Sequence, residues 1–426
     1  MKILMITTMG LFPRDTSPMA GIFFLNLLKR LNRLVDKIVC VVPSTYVPGP
    51  LTRLPRLATH GGIRRHEWRG GMEVYRPPYL SFGTEKRLWL QGRSFMHGIL
   101  PLCESLHRRH RFDTVVAYGF DVPAYAGQIT AKHLGLRDVT WAIGSDVHTL
   151  PFESAENAAL LRHNIRYNDL ILTDSDDLRR RICLACPSAR NAHTFYRGNQ
   201  VDAVARDGDR DTLRRKLGLA DGRKYMLMSG RLVVPKGSHE FIEAFVELAG
   251  RRSNLDAVWV GDGPQAGALR RRAEGARLGE RLHITGKVHR RTVLEYMRAA
   301  DFMLFTSHAE GLPTVVMESL MCGLPTVATD VGGVREVVAD GVTGVLARPK
   351  DPASLVAGAE RLLADEQGAR AMSQKGRQLI LEHFDVEKNA PVALEILRHV
   401  ASGGPTDIPL PACAGVAPGR LPIEMI

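Results

Sequence analysis

Glu310 and Glu318 stand eight positions apart in HAEGLPTVVMESL (308–320), on either side of a Gly-Leu-Pro turn. Paired carboxylates perform acid–base chemistry at one atom only if they can meet there. Pro313 suits the first position of a helix and Gly323 its end. Glu310 then lies in the preceding loop, and Glu318 lies about five residues, roughly 7–8 Å, along the axis. That is too far for one shared proton. It suits a ligand with hydroxyls at both ends and anionic groups between. The plainer account is a Glu at the helix dipole plus a solvated helical Glu.

Cations come from SGRLVVPKGSHE (229–240), which follows an apolar run and leads into helical spacing that Ser238 could cap. Arg231 and Lys236 therefore flank a helix N-terminus, where free N–H groups and the dipole already favour anions. A fork-shaped guanidinium and a point-charge ammonium together suit a diphosphate. VGDGP (260–264) is a tight turn after another apolar run, and DVGGVRE (330–336) places Gly332 and Gly333 before a further helix with N–H groups open to an anion. Two Asp-x-Asp stretches, Asp174-Ser-Asp176 and Asp207-Gly-Asp209, could bridge a metal to a diphosphate. DSDDLRRRI, however, reads equally as a capped helix start. Since positions 231 and 236 supply counter-charge, no metal and no other cofactor is expected.

Elements must hold these residues. KILMITT, KIVCVVP, DTVVAYG, DVTWAIG and DLILTD in the first half read as buried parallel strands. YMLMSG, DAVWVG, LHITG, FMLFTS, PTVATD and GVLARP continue the pattern in the second. Helical spacing at 21–33 and 123–134, then near 238–250, 265–277, 291–299, 313–322 and 333–339, alternates with them. The expected fold class is α/β, with two Rossmann-like doubly wound parallel-sheet domains. The first is expected over 1–202, a polar linker over 203–223, and the second over 224–381. A helix over 382–401 and a Pro/Gly-rich loose tail over 402–426 complete the chain.

The chain of 426 residues has 57 Lys and Arg against 45 Asp and Glu, a net charge of +12, which favours anionic partners. Its six cysteines are scattered through apolar stretches, as in a reduced cytoplasmic protein, and Cys183-Leu-Ala-Cys186 lacks a second pair for zinc. The opening MKILMITTMG has too short an apolar run for a signal peptide. No stretch approaches the ~18 apolar residues of a membrane span. Residues 51–113 hold 12 Arg or Lys against five acidic residues, with Trp68, Trp89 and Phe95 interleaved. No nucleic-acid motif accompanies them, so a nucleic-acid partner is not expected. The segment 85–111 could instead form one or two amphipathic helices on an anionic membrane surface, or an ordinary core-packed helix with a solvated basic face. The expected location is cytoplasmic, with a peripheral seat at the inner face of the membrane under the first of these readings.

SGRLVVPKG, VGDGP and EGLPTVVMESLMCGLPTVATDVGGVRE together resemble the retaining nucleotide-sugar glycosyltransferases of the GT-B fold, a large family with a Glu-x7-Glu motif. FPRDTSPMAGIFF and GSDV further resemble transferases of teichuronic acid and exopolysaccharide assembly. The resemblance spans nearly the whole chain and implies that the two domains face across a cleft. It implies transfer of a sugar from a nucleotide-sugar donor to a glycan or lipid-linked acceptor. Arg231 and Lys236, with Gly230 beside them, would bind the donor diphosphate. Glu310 would hold hydroxyls of the transferred sugar near the backbone of Gly311, Leu312, Pro313 and Thr314. Glu318 would take the ribose hydroxyls, and Lys287 and Val288 the base. The loop with Gly21 would close over the phosphates, Asp146 would be a catalytic or acceptor-orienting residue, and 382–401 would cross back onto the first domain. Two departures stand out: Ile143 occupies a position where the family often has His, and NQVD (199–202) replaces Asn-Gly-Val-Asp. A nucleotide-sugar epimerase or a phosphorylase is the alternative on the same plan. Activity without acceptor would mark the former, and phosphate dependence the latter.

Overall fold

The computed structural model describes residues 1–8, 22–47, 64–81, 86–200 and 209–407. The chain divides into two compact units, one of Met1–Gly198 with the segment from Val386, the other of Asn199–Asp385. Gly21, Asp207 and the tail beyond 407 lie outside the described residues.

The first unit contains strands β1 (Lys2–Thr7), β2 (Lys37–Val41), β3 (Ser44–Thr45), β4 (His66–Arg69), β5 (Met72–Tyr75), β6 (Pro78–Tyr79), β7 (Thr114–Tyr118), β8 (Arg137–Ala142), β9 (Leu170–Thr173) and β10 (Ala192–Thr194). Eight of them form a sheet ordered β10-β9-β8-β7-β1-β2-β5-β4, parallel apart from the β4–β5 hairpin. The near-continuous apolar runs of β1, β2, β7, β8 and β9 follow from burial on both faces. The hairpin did not read as strand because HEWR alternates between exposed and half-buried and lies at the edge.

Helices α1 (Ile22–Leu34), α2 (Leu88–His110), α3 (Val122–Leu134), α4 (Ser145–His148), α5 (Ala155–Tyr167) and α6 (Asp176–Ala185) belong to this unit. Ser154 and Ser175 cap α5 and α6 by accepting from Asn157 N–H and Leu178 N–H. Against the sheet, α2 inserts Phe95, Ile99 and Cys103 among Leu4, Val39 and Val115. Its single 23-residue run settles the choice between one helix and two.

The second unit carries β11 (Lys224–Ser229), β12 (Leu255–Val260), β13 (Leu282–Ile284), β14 (Phe302–Phe305), β15 (Thr326–Thr329) and β16 (Val345–Ala347), all parallel, in the order β13-β12-β11-β14-β15-β16. Its helices are α7 (Arg210–Leu217), α8 (Ser238–Arg251), α9 (Ala266–Gly275), α10 (Arg290–Ala299), α11 (Thr314–Met321), α12 (Pro352–Ala364) and α13 (Glu366–His383). The expected helix at 333–339 is instead a short 3₁₀ turn, Gly332–Glu336. Part of the polar stretch expected as linker is the helix α7, whose N-cap is Asp209.

The last helix, α14 (Val386–Ala401), begins four residues after the expected 382, because α13 runs on to His383. It is part of the first unit, packed on α1 and β8. Val386, Ala390, Ile396, Leu397 and Val400 are fully buried, and Arg30 pairs with Glu387 at 2.6 Å. Each such Val, Leu or Ile contributes about 1.5–3 kcal/mol as an upper estimate.

Candidate functional site

Parallel strands deliver their following loops to one edge of a sheet, and ligands of open α/β sheets sit there. In the second unit the loops after β11, β12, β13, β14 and β15 carry the residues singled out above. They also brace one another. Leu232 N–H donates to Asp262 O at 2.9 Å, and Gln265 N–H to Leu232 O at 3.1 Å, so the VGDGP turn props the Arg231 loop. His308 N–H donates to Pro235 O at 2.9 Å, and Thr306 Oγ1 to the carbonyls of Lys236 and Gly237, both at 2.9 Å.

Gly237 is the N-cap of α8, with no side-chain cap, so Ser238 begins the helix and does not cap it. At Gly237 the φ is +69° and an added Cβ would lie 1.8 Å from Thr306 O, so only glycine lets these loops close. Gly332 is equivalent beneath the other loop: φ is +52° and a Cβ would meet Glu310 O at 1.9 Å. The next N–H, of Gly333, donates to Gly311 O at 3.1 Å. That amide is spent on the Glu310 loop and is not open to an anion, contrary to the reading of DVGGVRE.

These clamps bring together Lys236 and Glu310, 74 residues apart in sequence; Lys236 Nζ lies 2.6 Å from Glu310 Oε1. Their side chains remain 28% and 13% exposed, open enough to meet a ligand. Arg231 is exposed on the same loop as Lys236. Behind the pair, His308 Nε2 lies 3.0 Å from Glu240 Oε2 of α8. That contact was not foreseen, though His308 opens the very stretch that holds Glu310.

Glu318 is placed differently. Pro313 is the N-cap of α11, and Glu318 sits inside the helix with its side chain 1% exposed, Oε1 accepting from Arg290 Nε at 2.7 Å. Burial raises its pKa against the pull of Arg290. It is therefore not a solvated helical Glu. Gly311, Leu312 and Pro313 are buried, Thr314 and Val288 are half-buried, and Lys287 is exposed. Arg290, two residues past Val288, had no signal in the sequence beyond its place in TGKVHRR.

In the first unit two acidic residues beyond the strand ends, Asp146 and Asp174, are turned inward. Asp146 is 5% exposed and accepts from Phe120 N–H (2.8 Å), Gly144 N–H (2.7 Å) and Ile143 N–H (3.1 Å). Burial still raises its pKa. Its carboxylate thus ties the loop after β7 to the loop after β8, a bracing job that the motif did not announce. Asp174, fully buried, pairs with Arg197 at 2.9 Å, and Arg197 also donates to Tyr118 Oη at 3.1 Å. Burial, then the nearby Asp146 charge, outweigh Arg197 and push Asp174 up to about 7. Asp176 pairs with Arg179 at 2.7 Å, and Asp209 caps α7. The described Asp-x-Asp carboxylates are thus engaged by arginines or a helix end. Among the described residues no group of three or more His, Cys, Asp and Glu is arranged to hold a metal.

The basic stretch is also sorted. Trp89 packs on Tyr125 and His163, and Phe95 on Tyr79, so these aromatics belong to the core. The exposed face of α2 carries Arg93, His97, Arg108 and Arg109. Near its start, Leu80, Leu90 and Phe152 are 60%, 38% and 78% exposed, beside Lys86 and Arg87. Hydrogen bonds from Ser94 Oγ to Leu80 O and from Leu90 N–H to Glu156 hold that corner together. No helix among the described residues is long and apolar enough to cross a membrane.

Residues 209–379 match the family model described as Glycosyl transferases group 1. The Bacillus subtilis protein TuaC, named for teichuronic acid biosynthesis as a glycosyltransferase, is 25% identical over 92% of this chain and 96% of its own length. The N-acetyl-alpha-D-glucosaminyl L-malate synthase of Bacillus anthracis is 27% identical over 59% of this chain and 65% of its own. Among solved structures, Anabaena HepE in complex with UDP superposes with a TM-score of 0.73 at 21% identity, covering 93% of this chain and 100% of that one. Sucrose-phosphate synthase from Thermosynechococcus elongatus does so at 0.76 and 16% identity, over 95% and 100%.

Proposed function

We propose that this chain, a GT-B glycosyltransferase with a group 1 domain over 209–379, moves a sugar from a nucleotide-sugar donor with retention of anomeric configuration and without a metal. The acceptor is a glycan or lipid-linked sugar of cell-envelope or exopolysaccharide assembly, met on the cytoplasmic side of the membrane. TuaC's name and the UDP bound to HepE favour this donor and acceptor class. The observation that carries the reading is the Lys236–Glu310 pair at the carboxyl edge of the second sheet.

In this reading Lys236 and Arg231 stabilise the charge that develops on the departing diphosphate. Glu310 holds hydroxyls of the transferred sugar and so orients the reacting carbon. The acceptor hydroxyl attacks the anomeric carbon on the face from which the diphosphate leaves. The bond from that carbon to the diphosphate oxygen breaks, and the diphosphate takes the acceptor's proton. Neither Glu310 nor Glu318 serves as a general base. The corner formed by Leu80, Leu90 and Phe152 with Lys86, Arg87 and Arg93 provides an apolar tip within a basic rim, which suits an anionic lipid surface.

A panel of nucleoside diphosphates and their sugars, scored by thermal stabilisation, identifies the donor. NMR of the product with that donor, in excess chelator, then tests the mechanism. Retained configuration and full activity are expected. An inverted product, or activity restored only by added magnesium or manganese, overturns it.

A further inference from the structure

Glu318 and Arg290 form a buried ion pair, 1% and 9% exposed, between the interior of α11 and the first residue of α10. Burying two charges is costly, and such pairs are often no more stabilising than apolar residues of the same volume. Breaking one by removing a partner is what costs most. What this pair does provide is orientation. The guanidinium fixes the carboxylate's rotation, and it does so from the residue that follows Lys287, Val288 and His289 on leaving β13. One side chain therefore joins two separate pieces of the second unit's edge: the loop after β13 and the helix after the Glu310 loop.

We propose that Arg290 is a positioning residue for the nucleotide: it holds Glu318 in the orientation that accepts from a ribose hydroxyl and fixes that carboxylate relative to the segment Lys287–Val288. The inference rests on the donor reading given above. A carboxylate offers about four acceptor positions, so the bond to Arg290 leaves lone pairs over, and the proposal requires that a ribose hydroxyl reach this carboxylate, which is 1% exposed. Arg290 also opposes the upward push of burial on Glu318, which favours the charged, acceptor-only form. Arg298 of α10 and Arg377 of α13 act on Cys322 at the far end of this helix, whereas the charge that acts on Glu318 is that of Arg290. Arg377 donates to Met321 O at 3.1 Å, so it caps the end of α11.

The experiment is calorimetric titration of the full chain with UDP, GDP, ADP and dTDP, then with the 2′-deoxy and 3′-deoxy forms of whichever ribonucleotide binds. The parent should prefer the ribose form over at least one deoxy form by about 10-fold or more, the usual worth of a hydrogen bond to a charged group. Arg290→Gln should erase most of that preference while changing deoxy affinity by less than about 3-fold, since a deoxy ligand lacks the hydroxyl concerned. Arg290→Lys keeps the charge without the planar fork, and should show an intermediate preference. Its measurement keeps the test open if Arg290→Gln does not fold. A merely structural pair would lower the melting temperature and leave the hydroxyl preference at the parental value in both variants, which overturns the proposal. Absence of any nucleotide binding by the parent overturns the donor reading itself, and a parent indifferent to both deoxy forms overturns Glu318 as the ribose acceptor.

Discussion

The carboxyl edges of the two sheets use charge in opposite ways. In the second unit, Lys236 and Glu310 meet while still partly exposed, on loops clamped from behind by backbone bonds and by close packing at Gly237 and Gly332. In the first, Asp146 is consumed by three backbone amides, and Asp174 is buried against Arg197. Both arrangements make loops rigid. Among these residues, the second unit's pair stays partly exposed, and it is there that the proposed function places the diphosphate and the sugar. The first unit also has an exposed apolar corner with a basic rim, which the proposed function assigns to the acceptor or the membrane.

The largest effects should come from the exposed pair. Lys236→Ala removes a charge-assisted contact and should weaken donor binding by about 10- to 150-fold, corresponding to about 1.5–3 kcal/mol. Glu310→Gln should chiefly lower kcat, by up to about 100-fold, because it loosens the orientation of the reacting carbon. Unchanged donor affinity in Lys236→Ala would erase the contrast between the two edges. Next is the clamp. Gly332→Ala forces a left-handed backbone, at roughly 1–2 kcal/mol, and a clash with Glu310 O. Transfer should fail in this variant before the fold does. Activity at parental level alongside a parental melting temperature would show that the loops are not held as described.

On the first unit, Asp146→Asn should cost about 1.5–3 kcal/mol of stability while leaving donor affinity unchanged. Loss of transfer at unaltered stability would instead make Asp146 part of the chemistry, and the two edges alike. Asp174 adds a pH signature. Its folded pKa of about 7 lies above the ordinary value near 4. The stability it contributes is therefore complete below about pH 4 and is lost as pH rises through about 7. Asp174→Asn should flatten the decline of melting temperature between pH 5 and 8. A slope equal to the parent's would mean that Asp174 is charged throughout. The smallest effect is expected on the exposed rim, where each basic residue near an anionic surface contributes about 1 kcal/mol. Reversing Arg87, Arg93, Arg108 and Arg109 should weaken binding to anionic vesicles in a salt-dependent way. No binding by the parent would leave α2 a core-packed helix with a solvated face.

Much of the second unit's carboxyl edge could be read from sequence because its residues lie close together along the chain. Arg231 and Lys236 share a loop, and Glu310 and Glu318 flank one helix start. What escaped reading was what tertiary packing alone decides: that Gly333 N–H is spent on Gly311 O, that Gly237 and not Ser238 is the N-cap of α8, and that Glu318 is buried against Arg290. The β4–β5 hairpin escaped because an edge strand with polar HEWR carries no apolar run. Asp174 attracted notice as half of Asp-x-Asp, but its partner Arg197 is 23 residues away and nothing local pairs them. Trp89 and Phe95, interleaved with arginines in sequence, separated from them because helical spacing sends the aromatics inward.

Donor capture by the second unit's edge is the central claim, and titration of the parent and Lys236→Ala with UDP, GDP, ADP and dTDP tests it most directly. The account predicts that the parent binds at least one of these, and that Lys236→Ala binds the same nucleotide about 10- to 150-fold more weakly. Failure of the parent to bind any of the four, or equal affinity in the variant, would contradict it.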